Sequence, residues 1–506
     1  MKIDYDIVIV GGSIAGYQAA LTATQLHAKV ALVQPQLNYK FNYHYPLGEI
    51  GKMSQQCQDM TNLGVISQQV NTTADIDLDD VSSDTTLVQK SELSRPQANY
   101  VNNWKQAIIY ADAIATNLNQ VNSLANLAAQ GVDVIIGNGQ FQSSPQLSFA
   151  VNDRILNART YLLACGSRPQ IPDIAGLKTT GYLTLADVWQ SLEKPNPPKN
   201  WVILGGLPQS MEIAQTLARL GCSINLILNY PSVLSHLDPE IAQLLIAQLE
   251  ADGVRVLTQT TVTQVRRIED KKWVQAGDKA IETDEILVAT RQKPNLESFN
   301  LAAVGVKWNS RRLLVNEKLQ TTNQRIYACG DVIGGYDIVN IANYEAKIAI
   351  KNALFFPKFA VNYHFIPWAI SSQPMVAQVG LTETQAKKRY SKNEILVLKQ
   401  YFKSITAAQI KNEITGICKL IVLENGKILG CSILGAEAGE LINLIALAMS
   451  QNLKIQNLEH LTPIYPSFSE ILEQTVREWN QQKLNKNHTL QEFLQSFFHF
   501  RRDWNL

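Results

Sequence analysis

Paired cysteines are missing from this chain. Its six cysteines, at 57, 165, 222, 329, 418 and 431, are scattered through 506 residues with no Cys-x-x-Cys and no metal-ligand spacing. That pattern excludes a zinc ribbon or a thioredoxin-type motif, leaves no expected metal site, and fits a reducing cytoplasm. A surplus of one charge is missing too: Lys+Arg number 45 against 44 Asp+Glu, net +1, so no basic field awaits nucleic acid. Charged residues are only 18% of the chain, and Asn and Gln supply much of the polar surface. No apolar run approaches the roughly 18 residues of a membrane span; Ile442 to Met449 is among the longest. The N-terminus runs from Met1-Lys-Ile-Asp-Tyr-Asp6 straight into an apolar strand, without the basic segment and cleavage site of a signal peptide. What is present is an apolar share of 46% and a length that, at roughly 150 residues per domain, predicts three or four domains.

The pattern opens with a strand over Asp6 to Val10, a Gly-rich turn, an Ala-rich helix to about His27 and a strand over Lys29 to Gln34. This is a β-α-β unit of the length that dinucleotide binding requires. Residues 71–99 are polar, with an acidic patch at Asp75-Ile-Asp-Leu-Asp-Asp80, and read as a surface excursion. Helix is expected over about 100–130 and strands near 132–136 and 159–164. After the proline-dense Lys194-Pro-Asn-Pro-Pro-Lys199 the unit repeats: strand Trp201 to Leu204, Gly turn, helix Met211 to Leu220, strand Ser223 to Leu228. An internal repeat of a nucleotide-binding unit is the most informative feature of the organisation. From about 361 the pattern changes to hairpin strands around Lys419 to Leu423 and Ile428 to Leu434, then helix 437–451.

The first turn reads Gly11-Gly12-Ser13-Ile14-Ala15-Gly16. Gly11 permits the tight turn and Gly16 the close helix–strand packing, while Ser13 stands where the middle glycine of Gly-x-Gly-x-x-Gly belongs. A pyrophosphate would lie at the start of the following helix. Gln34 ends the second strand, where an acidic residue usually accepts from a ribose hydroxyl; its amide oxygen can also accept.

Further motifs are Leu162-Leu-Ala-Cys-Gly-Ser-Arg-Pro169, Arg325-Ile-Tyr-Ala-Cys-Gly-Asp331, Gln373-Pro-Met-Val-Ala-Gln-Val-Gly-Leu-Thr382 and Gly430-Cys-Ser-Ile-Leu-Gly-Ala-Glu-Ala-Gly-Glu-Leu441. With the first turn they resemble the class I pyridine nucleotide–disulfide oxidoreductases, the dihydrolipoamide dehydrogenase and mercuric-reductase-like proteins, from about residue 4 to 475. The resemblance implies an α/β fold with two Rossmann-type dinucleotide-binding domains, one for FAD and one NAD(P)-like, plus a C-terminal α+β dimerisation domain. The corresponding limits are 1–194 and 296–360 for the FAD domain, 195–295 for the NAD(P)-binding-like domain, 361–480 for dimerisation and 481–506 for an amphipathic tail. It also implies a homodimer and FAD held by Gly11, Gly12, Ser13, Ala15, Gly16, Gln34, Gly166, Gly330 and Asp331. Asp331 would meet the ribityl chain, and the helix from about Val339 would aim its N-terminus at the flavin N1–C2=O edge.

Against this family the chain lacks three things. The redox cysteines would fall near Asn42 and Leu47, and Asn38 to Lys52 contains none; thiol–disulfide exchange needs those sulfurs. Cys165 and Cys329 sit in the two flavin-domain motifs and could be neighbours, but read as small buried residues at strand ends. The family's His-Pro-Thr-x-Ser-Glu appears as Tyr465-Pro-Ser-Phe-Ser-Glu470. A phenol of pKa near 10 does not shuttle protons at neutral pH as imidazole does, so Tyr465 is the candidate for acceptor contact, with Glu470 beside it. The second turn, Gly205-Gly206-Leu207-Pro208-Gln209-Ser210, has lost two glycines. Leu228, Asn229 and Ser235 stand where NAD- or NADP-selective residues belong, which weakens or removes the NAD(P)H site. Glu212 remains; its family partner is a lysine, for which Lys52 is the nearest candidate.

The last segment, from Thr489, carries Leu490, Phe493, Leu494, Phe497, Phe498 and Trp504 as an apolar stripe beside Arg501 and Arg502. Such a helix packs onto its own dimer or lies in a membrane interface. Two functions follow. The first is an FAD-dependent reductase passing electrons directly to a quinone or similar small molecule. The second is a non-catalytic or redox-sensing FAD-binding dimer acting through a partner. A disulfide or mercuric reductase is not expected, because its sulfurs are missing.

Overall fold

The computed structural model describes residues 3–35, 44–62, 104–121, 123–194, 196–231, 234, 236–335 and 338–504. The polar excursion 71–99, Asn42 and Ser235 lie outside them. The first sheet is parallel and five-stranded, in the order Ile326–Ala328, Ala158–Leu163, Tyr5–Val10, Val30–Gln34, Asp133–Ile136. The strand Tyr5–Val10 is buried at every residue but Asp6, as a central strand covered on both faces must be. The helices Ile14–Gln25 and Val339–Leu354 pack against each other on this sheet. The alanines of the first helix, Ala15, Ala19, Ala20 and Ala23, are buried, and their small size lets the two backbones approach.

The second unit repeats this plan. Its parallel sheet runs Val254–Leu257, Ser223–Ile227, Asn200–Leu204, Glu285–Val288, Leu183–Thr184. The last strand corrects the domain limits read from the sequence: a boundary at 194/195 cuts this sheet. A two-residue strand shows no period, so the sequence could not announce it. The chain crosses between the units at the antiparallel pair Ser167–Pro169 and Gln292–Pro294, braced by Arg168, whose guanidinium donates to both carboxylate oxygens of Glu297. The helices His44–Asn62 and Trp104–Val121 contribute Leu47, Ala107, Ile108 and Ala111 to the core of the second unit.

The C-terminal domain is a five-stranded antiparallel sheet, Trp368–Ile370, Met375–Gly380, Ile428–Gly435, Ile417–Leu423, Ile395–Tyr401, covered by the helices Ala438–Ser450 and Glu470–Lys486. It is clasped to the second unit by buried charge. Lys419 is 3% exposed, and its ammonium meets Asp238 (2.9 Å, 0% exposed), Glu240 (3.0 Å) and Glu383 (2.6 Å). Nearby, Arg219 pairs with Asp252 at 3.1 Å and donates to the Gln373 carbonyl at 3.0 Å. Among the described residues no helix is long and apolar enough to cross a membrane.

Removing one partner of a buried ionic group strands the others without compensation, at about 3–5 kcal/mol. Lys419→Met is therefore expected to lower the thermal midpoint of the holoprotein sharply, and the Lys419→Met/Asp238→Asn pair to cost less than the sum of its two changes. Additive effects in that double-mutant cycle would show that the clasp carries no coupling.

Candidate functional site

Nine residues expected at the cofactor come together along the C-terminal edge of the first sheet. Gly11 ends the first strand with φ +109°, and a Cβ there would overlap the carbonyl of Ala164, at the end of the neighbouring strand. A Cβ on Gly16 would overlap the Gly11 carbonyl oxygen. The helix can therefore begin directly against the strand end, with its first N–H groups turned to the sheet edge. Ser13 caps that helix: its Oγ accepts from the Gly16 N–H at 3.4 Å and donates to the Ala164 carbonyl at 2.8 Å. The serine that replaces a glycine thus fastens helix to strand. The Gly12 N–H donates to Gln34 Oε1, so the glutamine braces the turn from the next strand.

Opposite them, Gly166 has φ +66° and no atom within 4 Å of its missing Cβ; the backbone there requires glycine and borders open space. Ser167 Oγ donates to Asp331 Oδ2 at 3.5 Å. A Cβ on Gly330 would stand 3.1 Å from that of Ala15 and 3.7 Å from that of Ala342, which brings the Asp331 turn against both helices. Glu345, buried, holds that turn: it accepts from the Gly330 N–H and the Tyr363 hydroxyl, each at 2.7 Å. Burial raises its carboxyl above the ordinary range, the two hydrogen bonds opposing. The helix Val339–Leu354 starts with no side-chain cap and no acidic residue in its first turn, so its positive end is unneutralised by its own sequence. Two helix starts, a glycine-lined edge and a carboxylate make a cradle suited to a pyrophosphate-linked dinucleotide. FAD fits it.

The second unit keeps the turn but lines it with different side chains. A Cβ on Gly205 would overlap the Ala289 carbonyl, as at Gly11, but the helix Pro208–Arg219 begins with a proline and Leu207 makes no capping bond. Proline deletes an N–H from the anion-facing turn. Ser210, fully buried, turns its hydroxyl to the Leu207 carbonyl at 2.6 Å. Leu228 is 3% exposed and reaches within 3.0 Å of the missing Cβ of Gly206. It occupies the place that Gln34 holds in the first unit, with an apolar group where a ribose hydroxyl needs an acceptor. Asn229 is exposed. On the same rim Arg291 donates to the Tyr230 hydroxyl at 2.8 Å, a contact between loops far apart in sequence that no motif marks.

The two cysteines of the flavin-domain motifs are buried thiols. Leu47, at one expected cysteine position, is fully buried in the apolar core of the second unit. Cys165 donates to the Asn295 carbonyl at 3.1 Å and burial pushes its thiol up to about 12. Cys329 is raised well above the ordinary thiol range, first by burial, with Glu345 and Cys165 adding to it. The two are electrostatic neighbours, as their motifs suggested, but both are held as thiols and a thiol is a poor nucleophile.

In the sequence Lys52 is the nearest candidate partner for Glu212. Lys52 turns instead to Glu413 at 3.3 Å, because its helix packs with Gly48 and Gly51 against Thr216 and Arg219 and carries the lysine away. Glu212 is 7% exposed, accepts the Ser371 N–H at 2.7 Å, and burial sets its carboxyl at about 7 against the opposing hydrogen bond. Tyr45 lies close enough to feel it: the phenol is raised to about 12, chiefly by burial and then by the Glu212 charge. Tyr465 is 73% exposed on the C-terminal domain, while Glu470 accepts the Ser467 N–H at 2.9 Å and closes its own turn. Tyr465 and Glu470 thus stand at the surface of one domain and Glu212 in the interior of another.

The family described as pyridine nucleotide-disulphide oxidoreductase matches residues 5–346, and its dimerisation domain matches 366–476. The chain is similar to mercuric reductase of Staphylococcus aureus, 30% identical over 92% of this chain and 81% of that protein. It is also similar to dihydrolipoyl dehydrogenase of Geobacillus stearothermophilus, 26% identical over 93% and 95%. Among solved structures, the HOCl-induced flavoprotein disulfide reductase RclA from Escherichia coli superposes with TM-score 0.77 at 22% identity, over 94% of this chain and 99% of that one. LpdA from Mycobacterium tuberculosis gives 0.79 at 20% identity, over 93% and 99%. These two likenesses concern the fold.

The Glu212 acid has a thermodynamic signature. The folded chain favours its neutral form, so it adds stability that is complete below its unfolded value of 4.5 and is lost as pH rises through about 7. The loss amounts to roughly 3 kcal/mol for the fully buried group. Thermal midpoints of wild type are expected to fall between about pH 5 and about pH 8, and those of Glu212→Gln to fall less. Parallel curves would remove Glu212 as the titrating group.

Proposed function

Because the chain belongs to the pyridine nucleotide–disulphide oxidoreductase family, we propose that it is an FAD-dependent oxidoreductase whose electrons leave the flavin for a non-disulfide acceptor, a quinone or similar planar molecule. The observation that carries this reading is Leu47, buried in an apolar core at a position where the sulfur relay belongs. When bound, FAD supplies two-electron acceptance and delivery without a protein sulfur. In this reading Gly11, Gly12, Ser13, Ala15, Gly16 and Gln34 hold the adenosine and pyrophosphate half. Gly166, Gly330 and Asp331 border the ribityl and flavin half, and the helix from Val339 places its positive end beside the ring.

Tyr465 contributes an aromatic surface for a planar acceptor, Glu470 fixes its loop, and Glu212 is a buried carboxyl of the interior set at about 7. The matched dimerisation domain supports a homodimer, and Leu444, Leu447, Ile464 and Tyr465 give that domain an exposed apolar face. Weak supply from NAD(P)H follows from Leu228 and Pro208. Those two residues also favour a second reading, an FAD-binding redox sensor acting through a partner, in which no nicotinamide coenzyme reduces the flavin.

A cytoplasmic, membrane-peripheral setting completes the proposal. In the C-terminal helix His488–Asp503 no residue is buried. Leu490, Phe493, Phe497, Phe498 and Phe500 of that helix, with Trp504 just after it, are exposed, beside Arg501 and Arg502. Within one chain the stripe stays uncovered, which leaves it for the partner subunit or for a membrane interface, and the second is proposed. A chain without residues 487–506 is expected to keep its FAD and bind vesicles containing phosphatidylglycerol less well than the full chain; equal binding would end the tail's membrane role.

Anaerobic stopped-flow reduction tests the electron path. Charge-assisted contacts are worth about 1.5–3 kcal/mol each, so loss of two weakens nucleotide binding by roughly a hundredfold or more. Flavin bleaching by NADH and NADPH is expected to be slow, unsaturable and alike for both, with turnover on a soluble quinone after dithionite reduction and none on lipoamide, glutathione disulfide or Hg(II). Rapid saturable bleaching at micromolar nucleotide would sink the weakened-site reading. Turnover on a disulfide would sink the acceptor assignment, and no turnover on any acceptor would leave the sensor.

A further inference from the structure

The far end of the helix Val339–Leu354 carries a second apolar display, on a different domain from the C-terminal tail. The chain leaves this helix through Phe355-Phe356-Pro357-Lys358-Phe359, and Phe355, Phe356 and Phe359 are 59%, 67% and 50% exposed. Large aromatic side chains clustered in water cost free energy that a folded chain normally avoids by burial. This loop is built to keep them out. Asn352, 1% exposed, donates from Nδ2 to the carbonyls of Lys318 (3.0 Å) and Phe359 (2.7 Å) and accepts the Phe359 N–H on Oδ1 at 3.0 Å. A buried amide with both its ends engaged thus fixes the loop against the neighbouring turn, and the Tyr327 hydroxyl holds the Asn352 carbonyl at 3.1 Å.

Lysines ring the display. Lys351 lies 5.6 Å from the Phe359 ring centre and Lys358 lies 5.8 Å from that of Phe356. Lys347 is exposed one turn before Lys351, and Asn352 draws the backbone of Lys318 to the same edge. Glu317, an exposed acid, shares this edge, its carbonyl accepting the Val361 N–H. Ammonium groups held against the rings at Lys351 and Lys358 call for an anionic partner, and three exposed phenyl rings call for an apolar layer directly beneath that charge. An anionic lipid surface offers both at the right depth, with headgroups for the lysines and the acyl boundary for the rings.

We propose that the Phe355–Phe359 loop is a membrane-docking platform for a bilayer bearing anionic lipid, acting independently of the C-terminal helix. By the rise of an α-helix, the 16 residues of Val339–Leu354 separate the platform from the cofactor cradle by about 24 Å. Docking therefore leaves the flavin edge clear of the lipid.

Vesicle flotation of the full-length holoprotein tests the platform. Vesicles of phosphatidylcholine alone are compared with vesicles of equal parts phosphatidylcholine and phosphatidylglycerol. Phe355→Ser/Phe356→Ser/Phe359→Ser is expected to retain FAD and to bind the mixed vesicles about tenfold less than wild type. Lys318→Gln/Lys351→Gln/Lys358→Gln, which leaves the rings in place, is expected to lose roughly fivefold per lysine at low salt. Wild type is expected to prefer the mixed vesicles over phosphatidylcholine alone. Wild-type binding by both triple variants overturns the platform, whatever removal of the tail does, so its failure is distinct from failure of the tail. Light scattering gives the other overturning result: a wild type larger than a dimer that the phenylalanine variant reduces to a dimer would make the loop an interface between copies of the chain.

Discussion

The Gly11 carbonyl oxygen occupies the space that any side chain on Gly16 would need. That single backbone approach sets the depth at which the first helix meets the sheet, and the cofactor cradle follows from it. With the helix start drawn down, Ser13 can reach the Ala164 carbonyl, Gln34 can receive the Gly12 N–H, and Ala15 can pack beneath Gly330. Each of these contacts joins segments far apart in sequence, so the cradle is a property of the closed sheet and not of the turn alone.

The same approach is made at Gly205 in the second unit, and there the outcome differs because the surrounding side chains differ. Leu228 and Pro208 remove an acceptor and a donor without disturbing the turn. A Rossmann unit can thus keep its backbone while its turn is lined by different side chains. Burial repeats the theme at the sulfurs. Cys165 and Cys329 lie within the flavin domain's motifs, yet desolvation keeps their protons on. The same effect at Glu212 leaves an acid near neutrality.

Much of this was legible in the sequence where a short-range rule governs. Strand and helix periods gave both β-α-β units to within a few residues, and the missing cysteines were plain from counting. The sequence was silent where the decisive partner is remote or the element is too short to have a period. Leu183–Thr184 joins the second sheet with two residues. Lys52 chose Glu413 over Glu212 because of how one helix rolls on another. Lys419 and Asp238 are separated by 181 positions, and nothing local to either predicts that they meet.

That clasp gives the second unit a part that its nucleotide turn does not supply. Lys419, through buried Asp238, and Arg219, through the Gln373 carbonyl, bind the second unit to the C-terminal domain, and the helix carrying Leu47 adds to its core. Leu207 and Leu228 shape the turn alone, whereas Asp238, Lys419 and Arg219 shape the join between domains. Deleting the unit would uncover ionic groups on a domain needed for assembly. The second unit is therefore a strut as well as a nucleotide-type fold, and the building rests on it.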